Sequence, residues 1–179
     1  MSVAFEIVPY SPELLHVTGQ IIQEVSSVLD STLGLSDTLA RFQSDASREG
    51  FGGLLVRVGE RYVGASVWFD VTGRELNDRW RPRYTPREKV PSPAGSGVLL
   101  HVMGILPKWR GRGLGRALLE ASLAQIEPTH DWIAMSLVSE SPAAVSLFQN
   151  YGFEALPLVS SNRRSLCVMK FTRQAEPHQ

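Results

Sequence analysis

Cysteine is nearly absent: Cys167 is the single one in 179 residues. That excludes an intrachain disulfide and any cysteine-based metal cluster. It lies in the strand-like stretch RSLCVMKF, where a buried, inert thiol is expected. Net charge is lacking too, since 18 basic side chains balance 18 acidic ones. Such a chain is a poor match to nucleic acid or an anionic membrane surface, although a local anion site stays open. No apolar run approaches the ~20 residues that a membrane span needs. The opening MSVAFEIVPY has neither a basic start nor a long apolar stretch, so no secretory signal is expected. The expectation is a soluble cytoplasmic protein with no nucleic-acid partner, no membrane partner and no metal.

What is present is an ordinary globular mixture, 43% hydrophobic and 20% charged. The length fits one domain over residues 1–179, with a frayed tail from about 173 to 179. AFEIVPY reads as a first strand. Ser11 and Pro12 then open a helix whose apolar face holds Leu14, Val17, Ile21, Val25 and Val28. Gly34 stops or bends it, Ser36 or Asp37 caps a second helix, and Gly50 ends that one. GGLLVRVGERYVGASVWFD reads as a hairpin turning at Gly59-Glu60-Arg61. Residues 71–96, with four prolines, five arginines and one lysine, read as a long irregular excursion. GVLLHVMGIL is a continuous apolar run, the pattern of a strand buried on both faces. A helix follows with Leu114, Ala117, Leu118 and Ala121 at i, i+3, i+4 and i+7. DWIAMSLVS is another strand. SPAAVSLFQNY is a helix with Ser141 as N-cap, ended by Gly152, and FEALPLV and RRSLCVMKF close as a strand pair. The element order is β-α-α-β-β-β-α-β-α-β-β, an α/β fold with a mixed sheet flanked by helices.

The most informative stretch is WRGRGLGRALLEA, residues 109–121. A buried strand running through glycines into a helix is an anion-binding design. The first N–H groups of a helix have no internal partner, and the macrodipole places positive charge there. Glycine lets several N–H groups converge on one oxyanion, and Arg110, Arg112 and Arg116 add full charges, enough to hold a diphosphate. The P-loop pattern fails because no lysine precedes a Ser or Thr here. The dinucleotide pattern fails because its third glycine falls on Arg116 or Leu118. What stands is R-x-x-G-x-G, on Arg110, Gly113 and Gly115. The competing account is a helix-start turn with incidental arginines.

Here the sequence resembles the GNAT superfamily of N-acetyltransferases, which carries Q/R-x-x-G-x-G/A between its fourth strand and third helix. The run Ile105-x-Pro107-x-x-Arg110-Gly111-x-Gly113-x-Gly115 is similar to that segment, and SPAAVSLFQNYGF resembles the family's later helix. The two motifs cover residues 98–153, and the element order matches over about 4–172. The resemblance implies acetyl-CoA as co-substrate and an α/β fold. Residues Gly111, Arg112, Gly113, Leu114, Gly115 and Arg116 would hold the pyrophosphate. Met103 and Ile105 would offer backbone hydrogen bonds to pantetheine beside a bulged fourth strand. A backbone N–H near Met103 or Gly104 would polarise the thioester carbonyl, and Gly104 suits a bulge or a close backbone approach. Ser141 and Phe148 would sit on the cofactor side of the later helix. Dimers are common in the family, so a homodimer is one assembly it allows.

The chemistry needs a neutral amine, hence a base. The family's usual Glu on the fourth strand is replaced by His101, whose intrinsic pKa suits proton transfer; a hydrogen-bonded strand histidine is the competing role. The family's usual acid, a tyrosine, is replaced by Phe148, and the Asn at the helix start corresponds to Ser141. Tyr151 and Ser141 are the candidates left for an acid, with core packing competing for Tyr151. Glu140, Trp68, Asp70 and Tyr84 are candidate acceptor contacts. Trp80, Arg81, Arg83 and Arg87 could join Tyr84 in a lid, or simply lie in a solvated loop. The resulting expectation is an N-acetyltransferase acting on a small-molecule amine by direct attack on the thioester. Two competitors are a CoA-binding sensor or assembly module without turnover, and a nucleotide-binding protein using the same loop.

Overall fold

The computed structural model describes residues 4–26, 34–80, 84–86, 93–138, 141–160 and 165–172. The expectations for Val28, the lid arginines 81, 83 and 87, Glu140 and the tail 173–179 fall outside them. The described chain runs β1 (Glu6–Pro9), α1 (Leu15–Ser26), α2 (Leu35–Ala46), β2 (Gly52–Val58), β3 (Arg61–Val71), α3 (Gly73–Trp80), β4 (Tyr84–Pro86), β5 (Gly97–Ile105), α4 (Leu114–Ile126), β6 (Trp132–Val138), α5 (Pro142–Asn150), β7 (Glu154–Ala155), β8 (Leu158–Ser160) and β9 (Ser165–Phe171). Seven strands form a mixed sheet in the order β1-β2-β3-β5-β6-β9-β7, and β4 pairs with β8 in a small second sheet. No helix among the described residues is long and apolar enough to cross a membrane.

By its contacts the chain divides into two compact units, Met1–Asp70 with Leu100–Gln125, and Val71–Leu99 with Ile126–Gln179. In the first unit, β1 and β2 pair antiparallel, as do β2 and β3. The β2–β3 turn occupies Gly59 and Glu60, with Gly59 at φ +57°, so Arg61 already belongs to the strand. Helix α1 lays Ile21 against Leu55 and Ala65, joined by Val17 and Val25. A second cluster joins Ile22, Phe42 and Val67, with Val102 packed on it. Tyr10 stands edge-on to both Phe42 and Phe51, at 5.4 Å each. Helix α2 begins two or three residues earlier than expected. Gly34 is its N-cap, and Ser36 and Asp37 lie inside the helix.

Helix α4 buries Leu114, Leu118, Leu119, Leu123 and Ile126. Ala117 and Ala121, expected on that stripe, are only half-buried. The stripe instead takes in Ser122, whose Oγ lies 2.8 Å from both Ser66 Oγ and Leu118 O. A satisfied hydroxyl is tolerated in a core position that hydrophobic periodicity alone assigns to an apolar side chain.

In the second unit, Gly97–Leu99 pair in parallel with Trp132–Ala134, and β6 pairs antiparallel with β9 along its whole length. The Trp132 ring lies where a side chain on Gly97 would be, so that glycine is required by a close approach. Cys167 is fully buried, as expected. The excursion after residue 70 is more regular than its composition implied. It contains α3, opened by a capping box in which Glu75 N–H donates to Thr72 Oγ1 and Thr72 N–H donates to Glu75 Oε2. Leu76 and Trp80 are buried on that helix, which makes Trp80 a packing residue. The expected single strand FEALPLV is two short ones, β7 on β9 and β8 on β4.

Candidate active site

The loop between β5 and α4 begins with a 3-10 turn, Pro107–Trp109. Gly111 and Gly113 follow at φ +74° and +81°, a backbone region that costs other residues ~1–2 kcal/mol. A methyl group on either would meet no atom of the described residues within 4 Å. The first helical bond of α4 runs from Ala117 N–H to Gly113 O, at 3.1 Å. The N–H groups of Leu114, Gly115 and Arg116 therefore precede the intrahelical ladder, at the positive end of the helix dipole. Gly115 differs from the other two: a methyl there would touch only Ile105 Cγ1, at an ordinary 3.8 Å.

The arginines divide by role. Arg110 Nε–H donates to Ile105 O at 2.9 Å, tying the loop back to the end of β5. Arg112 is exposed, with its guanidinium 5.0 Å over the Trp109 ring and Nη2 3.4 Å from Lys108 O. Arg116 is exposed on the first turn of α4. An exposed glycine loop with three helix-start donors and three cations has the chemistry to hold a diphosphate.

β5 supplies the other half. Leu106 N–H donates to Val63 O of β3. By the period-two alternation of a strand, Met103 and Ile105 then present their N–H and C=O to the edge away from β3. Ile105 O already accepts Arg110. Gly104 is needed because Val25 of α1 packs where its side chain would stand. The run expected to be buried on both faces is so only over Gly97–Leu100 and at Ile105. His101 is exposed and residues 102–104 are half-buried.

His101 and Val102 are neighbours, yet both meet the face covered by α1 and α2. The His101 ring is 5.6 Å from the Phe69 ring, and its Nε2 is 3.4 Å from Asp45 Oδ2 of α2. Val102 packs on Ile22, Phe42 and Val67. Consecutive side chains on one face mark a β-bulge. The close approach expected at Gly104 is present, from Val25 of α1, and the contacts of His101 carry its imidazole toward α2. Arg48, just past α2, sits 4.7 Å over Phe69. Sequence reasoning missed Asp45, Arg48 and Phe69 as neighbours of His101. The signal for Asp45 was an acid in the last turn of a helix, where the dipole disfavours it.

Two candidates of the first unit, Trp68 and Asp70, are not brought to this cluster. Trp68 and Asp70 flank Phe69 on β3, so alternation points them to the opposite face. Trp68 covers Gly52, and Asp70 stands where a side chain on Gly50 would be. Tyr84 is on β4, paired with Ser160, and its side chain is outside the description. Ser141, Phe148 and Tyr151 belong to the second unit. Ser141 is the N-cap of α5 without a side-chain capping bond, and its carbonyl accepts Val145 N–H. Phe148 is 3% exposed and edge-on to Phe153 at 5.1 Å, a core position. Half-buried Tyr151 follows the last turn of α5.

A family model for the Acetyltransferase (GNAT) domain matches residues 94–170. Those residues resemble a GNAT domain. Among curated proteins, this chain is similar to mycothiol acetyltransferase of Geodermatophilus obscurus. The two are 30% identical over 110 residues, which is 56% of this chain and 35% of that protein. The chain thus spans about a third of the length of the curated relatives it matches. In fold, it resembles the ribosomal-protein-S18-alanine N-acetyltransferase of Escherichia coli, with TM-score 0.68 at 14% identity over 98% of this chain and 99% of that one. It also resembles Arabidopsis thaliana NAA60 in complex with acetyl-CoA, with TM-score 0.66 at 16% identity over 94% of this chain and 99% of that one.

Proposed function

We propose that this chain transfers an acetyl group from acetyl-CoA to the amine of a small molecule. The observation that carries the reading is the pair Gly111 and Gly113 just before α4, both at positive φ and both without an atom of the described residues within 4 Å of where a side chain would begin. In this reading the N–H groups of Leu114, Gly115 and Arg116 bind the diphosphate, and Met103 and Ile105 pair with the pantetheine arm. The backbone N–H of Met103, on the edge away from β3, faces the thioester oxygen as negative charge grows on it. His101 takes a proton from the acceptor ammonium. The amine nitrogen then bonds to the acyl carbon while the carbon–sulfur bond breaks, its electron pair leaving on sulfur. The second amine proton passes to solvent or to that sulfur. The products are the N-acetyl compound and CoA.

The relative named mycothiol acetyltransferase supports a small-molecule acceptor over a protein one. A second reading, a CoA-binding module without turnover, rests on Phe148, a core residue with no proton to give at the place of the usual acid. Thermal unfolding with acetyl-CoA, CoA, ATP and NAD added separately tests the donor. A shift with both CoA species and with neither nucleotide is expected; no shift with CoA overturns the reading. A screen of amines with acetyl-CoA then separates the readings, because the second predicts binding without free CoA appearing.

A further inference from the structure

Asp45 stands in the last turn of α2, where the macrodipole disfavours an acid and where aspartate is a poor helix former. Its side chain is 13% exposed. A carboxylate so placed costs stability unless a partner compensates it. Its Oδ2 is 3.4 Å from His101 Nε2, and His101 reaches it because β5 bulges there. The Phe69 ring is 5.6 Å from the imidazole, tilted by 44°, and Arg48 in turn covers Phe69.

We infer that Asp45 is the positioning residue of His101: it holds Nε2 and leaves Nδ1 as the nitrogen that accepts a proton. The inference rests on the proposed base role and assigns that role to one nitrogen. An imidazole has two nitrogens, and in its neutral form only one carries the proton. A carboxylate facing Nε2 favours the proton there, so the lone pair is at Nδ1. The bulge and α2 thus do together what a buried acid does for a histidine elsewhere: they select tautomer and ring orientation. The charged groups around the ring are Asp45 on α2 and Arg48 just beyond it. Arg48 lies 4.7 Å over the Phe69 ring, and the carboxylate of Asp45 is 3.4 Å from Nε2. Asp70 points to the opposite face of β3.

The test reads the ring nitrogens of His101 by NMR in the full chain, with His101→Gln used to assign its signal. The parent should show the neutral ring protonated on Nε2. Asp45→Asn should lose that preference and move the titration curve of His101. Asp45→Glu, which keeps the charge, should restore both, and a thermal scan confirms that each variant is folded. The same tautomer and the same titration in the parent and in Asp45→Asn would overturn the inference. Turnover separates it from the base reading. With an amine found by the screen, Asp45→Asn should lose kcat and keep KM for acetyl-CoA. If His101→Gln turns over like the parent, the base role falls while the nitrogen assignment still stands or falls by NMR. If His101→Gln is impaired and the NMR signals ignore Asp45, only the positioning role falls.

Discussion

Replacing Gly113 by alanine adds one methyl group to a residue held at φ +81°. The backbone term alone is ~1–2 kcal/mol, because an L-residue is strained in that region. No atom of the described residues lies within 4 Å of the new methyl, so no clash with them adds to it. For a chain of this size, ~1 kcal/mol lowers Tm by about 2–4 °C. Gly59→Ala is the matched control, since Gly59 has φ +57° and equally open surroundings at the β2–β3 turn. Both variants should lose a similar few degrees without ligand. They should part when CoA is added. At ~100 times its dissociation constant, a ligand stabilises by about 2.7 kcal/mol, or roughly 5–10 °C here. A tenfold loss of affinity reduces that to about 1.4 kcal/mol at the same concentration. Gly113→Ala should show at most that halved shift, and Gly59→Ala the full one. Gly115→Ala, whose methyl makes only an ordinary contact with Ile105, should also keep the full shift. A full CoA shift in Gly113→Ala would refute the assignment of the open space to the diphosphate.

Three further outcomes are expected. His101→Gln should lower turnover by about 10²-fold or more while the CoA-induced Tm shift is unchanged. Thr72→Ala removes one arm of the capping box on α3 and should cost ~1 kcal/mol, read as a lower Tm with an unaltered CoA shift. Burial raises the pKa of Tyr10 above its ordinary 10.0. The unfolded chain therefore loses this proton first, so the stability linked to Tyr10 is complete below pH 10 and is lost as pH rises through the folded value. Tyr10→Phe should flatten the alkaline fall of Tm, measured from pH 8 to about 12; an unchanged fall would assign it to other groups.

The glycine loop was legible because its signal is local. Positive φ, a missing side chain and a helix start all lie within Arg110–Arg116, and Gly111 and Gly113 adopt the expected conformation. Helix α3 was equally local, announced by Thr72-x-x-Glu75, but the surrounding prolines and arginines hid it. The β4–β8 sheet was not legible, since its partners are more than seventy residues apart and each strand has three residues. Ser122 was missed because a core hydroxyl becomes acceptable only when Ser66 arrives opposite it. Asp45 and His101 are separated by the whole β2–β3 hairpin and α3. Their approach depends on a one-residue irregularity in β5 that hydrophobic periodicity does not register.

The bond from Arg110 Nε to Ile105 O closes six residues into a ring around the Pro107–Trp109 turn. Such a ring acts as a gauge block. It sets how far the last backbone groups of β5 stand from the first donors of α4, whatever ligand arrives. In the proposed reaction, a donor anchored by its diphosphate is therefore measured along its length, and its thioester comes to rest at one point beside β5. Longer acyl groups would register at the same point, so discrimination among them falls to side chains beyond Gly104. Lysine in place of Arg110 would keep the charge but not the planar Nε–H geometry of the clasp. It would loosen the gauge while leaving the electrostatics of the loop nearly intact.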